Sequence, residues 1–248
     1  MNIVVCVNHV PDTETKVKIG PDQKSIDKTG VNFMLNPYDE FAVEEALRLK
    51  EKFGGQVTVM SLGSDAHKET LRKALAMGVE QAILLKDDGV RDSYGVAKGL
   101  AEEIKQLAPD IVLVGKQSID YDDAQVGTLL AEMLGMASVS VVMKLTVEND
   151  TVVCEREIEG GHETVESKLP CLIQAQRGLN EPRYPSLKGI MAAKSKPITE
   201  KPAAPAEMRV VPIAMRKPPA KAAGKILGSD ASAVPELVRL LHEEAKVI

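Results

Sequence analysis

The sequence contains no tryptophan, and aromatic residues make up only 3% of its 248 residues. Any core must therefore be built from Val, Ile, Leu, Ala and Met, and the hydrophobic content of 44% supplies enough of them. Long apolar runs are also missing, and no stretch approaches the roughly 20 residues that a membrane-spanning helix needs. We therefore expect no membrane insertion. The length suffices for one large α/β domain, or for one domain and an arm.

Cysteine is scarce too, because the three cysteines, Cys6, Cys154 and Cys171, are far apart and odd in number. This usage favours a reducing compartment and argues against a disulfide framework or a thiolate metal site. The segment over residues 1–7 lacks the basic start of a signal peptide and is predicted to form the first strand. We therefore expect a cytoplasmic protein.

Common motifs of catalysis and cofactor binding are absent. No Gly-x-Gly-x-x-Gly follows the first predicted strand, and there is no Walker sequence. The four histidines, His9, His67, His162 and His242, show no spacing suited to a metal, and no Ser/His/Asp or Cys/His grouping is evident. We therefore predict no catalytic residue and no metal site, which favours a binding or carrier role over an enzyme.

The net charge of −5 conceals a strong asymmetry. Residues 183–225 contain ten Lys or Arg and two Glu, a balance of +8, so the remainder of the chain carries −13. An acidic body disfavours a general nucleic-acid binder. The basic segment is either a solvated tail or a contact surface for an acidic partner.

Apolar runs alternate with amphipathic helical patterns over the first part of the chain. Strands are predicted at residues 2–7, 56–62, 81–85 and 110–114. Helices are predicted from Asn36-Pro37 to residue 53, over 66–77 with Ser64-Asp65 as the cap, from Asp92-Ser93 to residue 107, and from residue 126 onwards. This alternation implies right-handed βαβ crossovers, so we predict an α/β fold with a doubly wound parallel sheet.

The remaining segments break this alternation. Residues 8–35 are predicted to be a loop with one short hairpin around residues 17–19. An antiparallel meander is expected over residues 139–147, 151–158 and 163–168, with a last core strand over 170–175. Seven of the 14 prolines fall in residues 183–225, which favours an extended C-terminal arm, and a helix over residues 235–246 is predicted to end it.

The stretch over residues 111–127 combines a buried strand, a loop and the start of a helix. Ligands of open parallel sheets bind beyond the carboxyl ends of the strands, where the free N–H groups of a helix start attract phosphate. We therefore predict that the amides of residues 124–127 and the Thr128 hydroxyl hold a phosphate. Asp120, Asp122 and Asp123 would repel a polyphosphate, so a single phosphate fits better. The alternative is that these carboxylates are helix caps and solvated loop residues.

Four segments of the chain resemble the β subunit of the electron transfer flavoprotein family, within the adenine nucleotide α-hydrolase-like superfamily. They are Asn36-Pro37-Tyr38-Asp39, the loop from Gly115 to Asp120 with Gln125 and Gly127, Arg156-Glu157-Ile158-Glu159-Gly160-Gly161 through Pro170, and Leu179-Asn180-Glu181-Pro182-Arg183-Tyr184. The resemblance runs in order from residue 1 to about residue 197. Two positions depart from the pattern: Cys154 stands where Val is expected, and Gln174 where a small residue is usual.

The resemblance implies a subunit that forms a heterodimer with an α subunit, which carries the redox FAD. It implies AMP in this chain's own crevice, or a second FAD there if the protein is electron-bifurcating. It also implies that electrons pass from acyl-CoA or other flavin dehydrogenases toward a quinone-side oxidoreductase. An alternative from a different class is a stand-alone, nucleotide-binding stress-type protein.

Carried over by position, the resemblance implies an adenosine pocket formed by Cys6, Asn36, Pro37, Tyr38, Asp39 and Leu62. The implied phosphate loop is Gly115, Lys116, Gln117, Ser118, Ile119, Asp120, Tyr121, Asp122, Asp123, Ala124, Gln125 and Val126, and the helix-start argument extends it to Gly127 and Thr128. The segment around Tyr184 resembles the loop that docks partner dehydrogenases, with Leu187 as its apolar anchor. The expected divisions are a nucleotide-binding domain over 1–180, a docking loop over 181–197 and an arm over 198–248, whose final helix packs on the α subunit.

Overall fold

The computed structural model describes residues 1–221 and 223–248, and within them the chain forms eleven strands and six α-helices. The strands are β1 (Asn2–Cys6), β2 (His9–Pro11), β3 (Phe33–Leu35), β4 (Gln56–Gly63), β5 (Gln81–Lys86), β6 (Ile111–Gly115), β7 (Ala137–Glu148), β8 (Thr151–Ile158), β9 (Gly161–Lys168), β10 (Cys171–Ala175) and β11 (Ile198–Pro202). The helices are α1 (Pro37–Phe53), α2 (His67–Met77), α3 (Ser93–Leu107), α4 (Val126–Leu134), α5 (Leu187–Ser195) and α6 (Val234–Glu243). The chain divides into two compact units, Met1–Ile213 and Ala214–Ile248.

Nine strands of the first unit form one sheet, in the order β11-β5-β4-β1-β6-β10-β7-β8-β9. From β11 to β7 all neighbouring strands are parallel, whereas β8 is antiparallel to both of its neighbours, β7 and β9. The chain runs outward from β1 to β4 and β5, and then returns through α3 to β6 on the other side of β1. The predicted doubly wound sheet with an antiparallel meander is confirmed.

Buried side chains pack on both faces of this sheet because alternate residues of a strand point to opposite sides. In β1, Val5 belongs to the cluster that includes residues of α1 and α2, whereas Val4 and Cys6 belong to the cluster with α3 and α4. Aliphatic residues dominate both clusters. The central strands are thus covered on both faces, and a ligand can reach them only at their ends.

The segment between β1 and α1 differs from its prediction. The predicted hairpin around residues 17–19 is only an isolated bridge between Ile19 and Ile26. The ends of the segment pair instead, as β2 and β3 form a separate two-stranded antiparallel sheet. The pairing of His9 with Leu35 brings the chain back to the end of β1, directly before α1.

The segment after Asn180 is more regular than its proline content predicts. Residues 187–195 form α5, whose N-cap Ser186 accepts a hydrogen bond from the Gly189 amide at 3.0 Å. Residues 198–202 form β11, which pairs in parallel with β5 at the edge of the main sheet. The sequence predicted no strand here, and β11 forms because pairing with β5 overrides the local composition.

The second unit contains a short 3₁₀ turn (Ala231–Ala233) and α6. The helix begins at Val234 with Pro235 in its first turn. It ends at Glu243, before the predicted end at residue 246. Its apolar side chains Val234, Leu237 and Val238 are exposed. None of the helices in the described parts of the chain is long and apolar enough to cross a membrane.

Candidate nucleotide-binding site

The carboxyl ends of β4, β1 and β6 lie side by side because these three strands are adjacent and parallel. Leu62, Cys6 and Gly115 therefore share one edge of the sheet. The chain reverses its winding direction between β1 and β6, which is where doubly wound folds form a ligand crevice. The site is therefore built from the loops that leave β1 and β6 and from the start of α1.

Asp39, in the first turn of α1, joins the two strand ends of this crevice. Its buried carboxylate accepts hydrogen bonds from the amide of Asn8 at 2.8 Å and from the amide of Gly115 at 3.0 Å. Burial raises the pKa of Asp39 to about 7, although the hydrogen bonds from Asn8, Asn36 and Gly115 oppose the rise. Asp39 thus acts as a cross-link, with both carboxylate oxygens engaged by protein amides.

Gly115 is required by the closeness of this cross-link. A Cβ at position 115 would lie 2.4 Å from Asp39 Oδ1 and 2.7 Å from the Cβ of Tyr38. These separations are far below normal van der Waals contact, so any larger residue would push β6 and α1 apart. The glycine at the end of β6 therefore allows the start of α1 to approach the loop.

Asn36 holds the loop that follows β6. It occupies the N-cap position of α1, where the helix was predicted to begin, but its side chain makes no capping hydrogen bond. Instead, its amide group donates to the carbonyl of Gln117 at 2.9 Å and accepts from the amide of Ile119 at 3.3 Å. The side chain is fully buried, and it fixes the backbone of the loop over residues 116–125.

Side chains within the loop add further cross-links. Asn8 Nδ2 donates to Ser118 Oγ at 2.8 Å, and Ser118 Oγ donates to Asp120 Oδ1 at 2.5 Å. Gln117 donates to Asp122 at 2.5 Å. Asp123 accepts from the hydroxyl of Ser93. The carboxylates of Asp120, Asp122 and Asp123 therefore accept hydrogen bonds from neighbouring side chains.

Two residues of the loop adopt an unusual backbone. Asp122 and Ala124 have φ angles of 54° and 53°, in the left-handed region that non-glycine residues rarely occupy. Such a conformation persists only where the surroundings enforce it. Residues 120–125 are nevertheless exposed, so the loop presents a defined backbone to solvent next to the crevice.

The start of α4 completes the site. Its N-cap, Gln125, makes no side-chain capping hydrogen bond. The amides of Val126, Gly127 and Thr128 are the first three of the helix and have no carbonyl one turn before them to bind. An uncapped helix start of this kind offers N–H donors and a positive dipole end to an anion.

The other residues predicted for the site line the same edge. Tyr38 is half-buried, and Lys116 Nζ lies 5.1 Å from the centre of its ring. The Lys116 amide donates to the carbonyl of Ala175 at 2.9 Å, which joins the loop to β10. Cys6 is buried, and burial raises the pKa of its thiol, so it stays protonated and acts as an apolar residue. Leu62 is half-buried, and Tyr121 is exposed.

The residues predicted to dock a partner lie on a separate element. Tyr184 is 96% exposed and Leu187 is 84% exposed, just before and at the start of α5. This helix packs on α2, and cationic side chains from each segment donate hydrogen bonds to backbone carbonyls of the other. Arg72 of α2 donates to the carbonyls of Ala193, at 2.5 Å, and of Lys196. Lys196 in turn donates to the carbonyl of Val79 at 2.6 Å, near the end of α2.

Sequence reasoning missed two contributors to the site, Asn8 and Gln174. Asn8 follows β1 by two residues, and a polar residue at a strand exit was the only available signal. Gln174 is a buried polar residue in the otherwise apolar strand β10. The sequence showed that it departs from the family pattern but did not indicate a function for it. Among residues 1–221 and 223–248, no group of three or more His, Cys, Asp or Glu could hold a metal ion.

Comparison of the sequence with known proteins identifies a matching family. The sequence model of the electron transfer flavoprotein domain matches residues 24–206. The chain is 41% identical to the electron transfer flavoprotein subunit beta of Bacillus subtilis, and the match covers 100% of both chains. The protein of the same name from Bradyrhizobium diazoefficiens is 39% identical, again over 100% of both chains.

A further relative carries a different name. Subunit CarD of the caffeyl-CoA reductase-Etf complex of Acetobacterium woodii is 42% identical, over 80% of this chain and 77% of that protein. The similarity therefore extends to a protein that is named as a subunit of a reductase-Etf complex.

Proposed function

Because this chain belongs to the electron transfer flavoprotein family as a β subunit, we propose that it holds AMP in the crevice between β1 and β6. Subunits of this kind transfer electrons and are not enzymes. The observation that carries the proposal is the uncapped start of α4, which follows a loop fixed by Asn8 and Asn36.

The residues present fit a nucleotide with one phosphate. The amides of Val126, Gly127 and Thr128 would donate hydrogen bonds to the phosphate at the helix start, where the N-cap side chain does not compete for them. Cys6, Leu62 and Tyr38 would supply the apolar walls for the adenine ring. The acidic residues of the loop would repel the additional charge of a longer phosphate chain, which supports AMP over a polyphosphate.

In this proposal the nucleotide has a structural role. A ligand that binds only the folded chain stabilises it by mass action. The polar groups of Asp39 and Asn36 are engaged by protein atoms, so they would shape the crevice and not contact the ligand through those groups. AMP would then hold together the loops that leave β1 and β6.

The redox function requires an α subunit. We propose that this chain forms a heterodimer with it and contributes one wall of the site for the α-bound FAD, which supplies the electron-carrying chemistry. Electrons would enter from acyl-CoA or other flavin dehydrogenases and leave toward a quinone-linked oxidoreductase. The exposed side chains of Tyr184 and Leu187 would dock the dehydrogenase, because a small apolar anchor gives weak, rapidly reversible recognition.

The domain divisions follow from the same proposal. Residues 1–180 would form the nucleotide-binding domain, 181–197 the docking segment, and 198–248 the arm. The exposed apolar side chains of α6 support a role for this helix in packing on the α subunit, since they would otherwise face solvent. The three free, buried cysteines support the cytoplasm as the compartment in which the heterodimer works.

The alternative occupant of the crevice is FAD, as in an electron-bifurcating protein. One observation favours it: a relative that is 42% identical is named as a subunit of a caffeyl-CoA reductase-Etf complex. The acidic loop speaks against it, because a pyrophosphate would lie beside Asp120, Asp122 and Asp123. Family membership argues against the stand-alone stress-type protein, which would need no α subunit.

Co-expression with the α subunit tests the proposal. We expect a 1:1 heterodimer whose flavin is reduced by an acyl-CoA dehydrogenase and its substrate, and reoxidised by a quinone-side oxidoreductase. A chain that remains monomeric in the presence of the α subunit, or a heterodimer that accepts no electrons from any flavin dehydrogenase, would refute it.

A further inference from the structure

Gln174 is a buried polar side chain that the proposed function leaves unexplained. Its side chain is only 2% exposed, and its carboxamide donates to Thr128 Oγ1 at 3.1 Å and to Ser138 Oγ at 3.2 Å. We propose that Gln174 is a positioning residue, which orients the Thr128 hydroxyl so that it donates a hydrogen bond to the phosphate of the nucleotide. This inference rests on the proposed function and assigns a further donor to the same site.

Gln174 lies in β10, next to the strand end that leads into the phosphate loop. It pairs with Val114, the residue before Gly115, and it is the penultimate residue of β10. Leu172, two residues earlier on the same face, packs in the cluster that contains Cys6, Val114 and residues of α4. Gln174 therefore faces α4 at the carboxyl edge of the sheet, beside strands that end at the crevice.

The hydrogen bonds of the two side chains constrain the direction of the Thr128 hydroxyl proton. The carboxamide of Gln174 has two N–H donors, and one is directed to Thr128 while the other is directed to Ser138. Because the Thr128 oxygen accepts from Gln174, its own proton must point elsewhere. Within the described parts of the chain, the Thr128 hydroxyl donates to no protein group. The exposed Thr128 therefore offers both a hydroxyl proton and a backbone N–H at the start of α4.

Gly127 makes this arrangement possible. A Cβ at position 127 would lie 2.7 Å from Cδ and 2.9 Å from Cγ of Gln174. The helix start can therefore rest on Gln174 only because residue 127 lacks a side chain. Gln174 on the sheet and Gly127 on α4 are in close contact, which brings Thr128 within hydrogen-bonding distance of the Gln174 carboxamide.

The ligand chemistry that fits these donors is a phosphate monoester. The hydroxyl of Thr128 would add one charge-assisted hydrogen bond to those of the first helical amides. It would not contact the adenine or the ribose, because in this site those groups belong to the crevice lined by Cys6, Leu62 and Tyr38. The contribution of Gln174 should therefore appear in the binding of AMP and not in that of adenosine.

The test compares the dissociation constants of AMP and adenosine for nucleotide-depleted α–β heterodimer by titration calorimetry. Replacing Gln174→Leu removes the carboxamide at similar volume, and we expect AMP to bind about tenfold more weakly while adenosine binding is unchanged. Thr128→Val should have the same effect, Thr128→Ser should restore wild-type affinity, and the double variant should lose no more than either single one. Gln176→Leu is the matched control, because Gln176 donates to Glu157 and not to α4.

Each other outcome has a defined meaning. Equal weakening of AMP and adenosine by Gln174→Leu would indicate a purely structural role and overturn the inference, as would an unchanged AMP affinity. If Gln174→Leu fails to fold, the exposed position of Thr128 keeps the test open, and an unchanged AMP affinity in Thr128→Val would refute the role of the hydroxyl. If the wild-type heterodimer binds neither AMP nor adenosine, the proposed function itself fails, and the inference fails with it.

Discussion

The carboxylate of Asp39 accepts a hydrogen bond from the amide of Gly115 at 3.0 Å. This contact joins the first turn of α1 to the end of β6, and the second oxygen of Asp39 binds the amide of Asn8 beyond β1. One side chain therefore sets the spacing of the two strand exits that form the crevice. Because the carboxylate is buried, its ionisation is linked to the stability of this part of the fold.

Asp39 predicts a pH dependence of stability. Its pKa rises from the ordinary value of 3.8 to about 7 in the folded chain, chiefly because of burial. A folded-state pKa above the unfolded one means that the native state binds more protons, so this contribution to stability is present at low pH and is lost as the pH rises toward about 7. In urea unfolding, the wild-type free energy minus that of Asp39→Asn should fall by a few kcal/mol between about pH 4 and pH 8. A difference that stays constant or rises with pH would contradict this.

Gly127 predicts the loss of the nucleotide on substitution. In Gly127→Glu the new side chain would collide with Gln174, displace the start of α4 and add a negative charge beside the phosphate. We expect purified heterodimer of this variant to contain little or no AMP while retaining its flavin. Gly161→Glu is the matched control, because nothing lies within 4 Å of a Cβ at position 161. Full AMP occupancy in Gly127→Glu would refute the helix-start site.

Leu187 predicts a defect confined to electron uptake. Truncation to Ala removes an exposed apolar anchor without disturbing the crevice, so the KM for the partner dehydrogenase should rise about tenfold while AMP and flavin contents stay unchanged. Ile213→Ala serves as the control, since Ile213 is equally exposed in another part of the same unit. Steady-state assays with unchanged kinetics for Leu187→Ala would remove the docking assignment.

The contacts of Arg72 with the α5 segment predict a second docking defect, which would arise from loss of the fixed position of α5. Its guanidinium binds the carbonyls of Ala193 and Lys196 and so holds α5 against α2. Arg72→Ala should loosen α5, lower the free energy of unfolding by about 1–3 kcal/mol and raise the KM for the dehydrogenase several-fold, whereas Arg72→Lys should recover part of both. Lys105→Ala on α3 provides the control, because its pairing with Glu102 is long and exposed. A wild-type KM in Arg72→Ala would show that docking does not depend on the fixed position of α5.

Local sequence patterns were sufficient to predict most of the strands and helices of the fold. The buried run over residues 111–114 and the helical pattern after it predicted β6 and α4, and the alternation of such units predicted a doubly wound parallel sheet. Asp92 was expected at the start of a helix, and it caps α3 by accepting from the amide of Gly95 at 2.8 Å. Such features depend on neighbouring residues, so the sequence contains them directly.

Features that depend on distant partners were missed or misassigned. Asn36 has the residue type of an N-cap, but its side chain binds a loop that only the fold brings near. Asp65 was expected to help cap α2, yet the N-cap is Ala66 without a side-chain hydrogen bond, and Asp65 pairs with Lys68 and Lys86. α5 and β11 were missed because contacts with α2 and β5 stabilise them, and no local sequence pattern predicts those contacts.

The central claim is that the crevice between β1 and β6 holds AMP while the redox flavin belongs to the α subunit. The most direct test is to denature the purified heterodimer and to identify and count the released nucleotides by liquid chromatography and mass spectrometry. We predict one AMP and one FAD per heterodimer. Two FAD and no AMP would contradict the assignment of AMP, and a single FAD with no further adenylate would show that this crevice is not a nucleotide site.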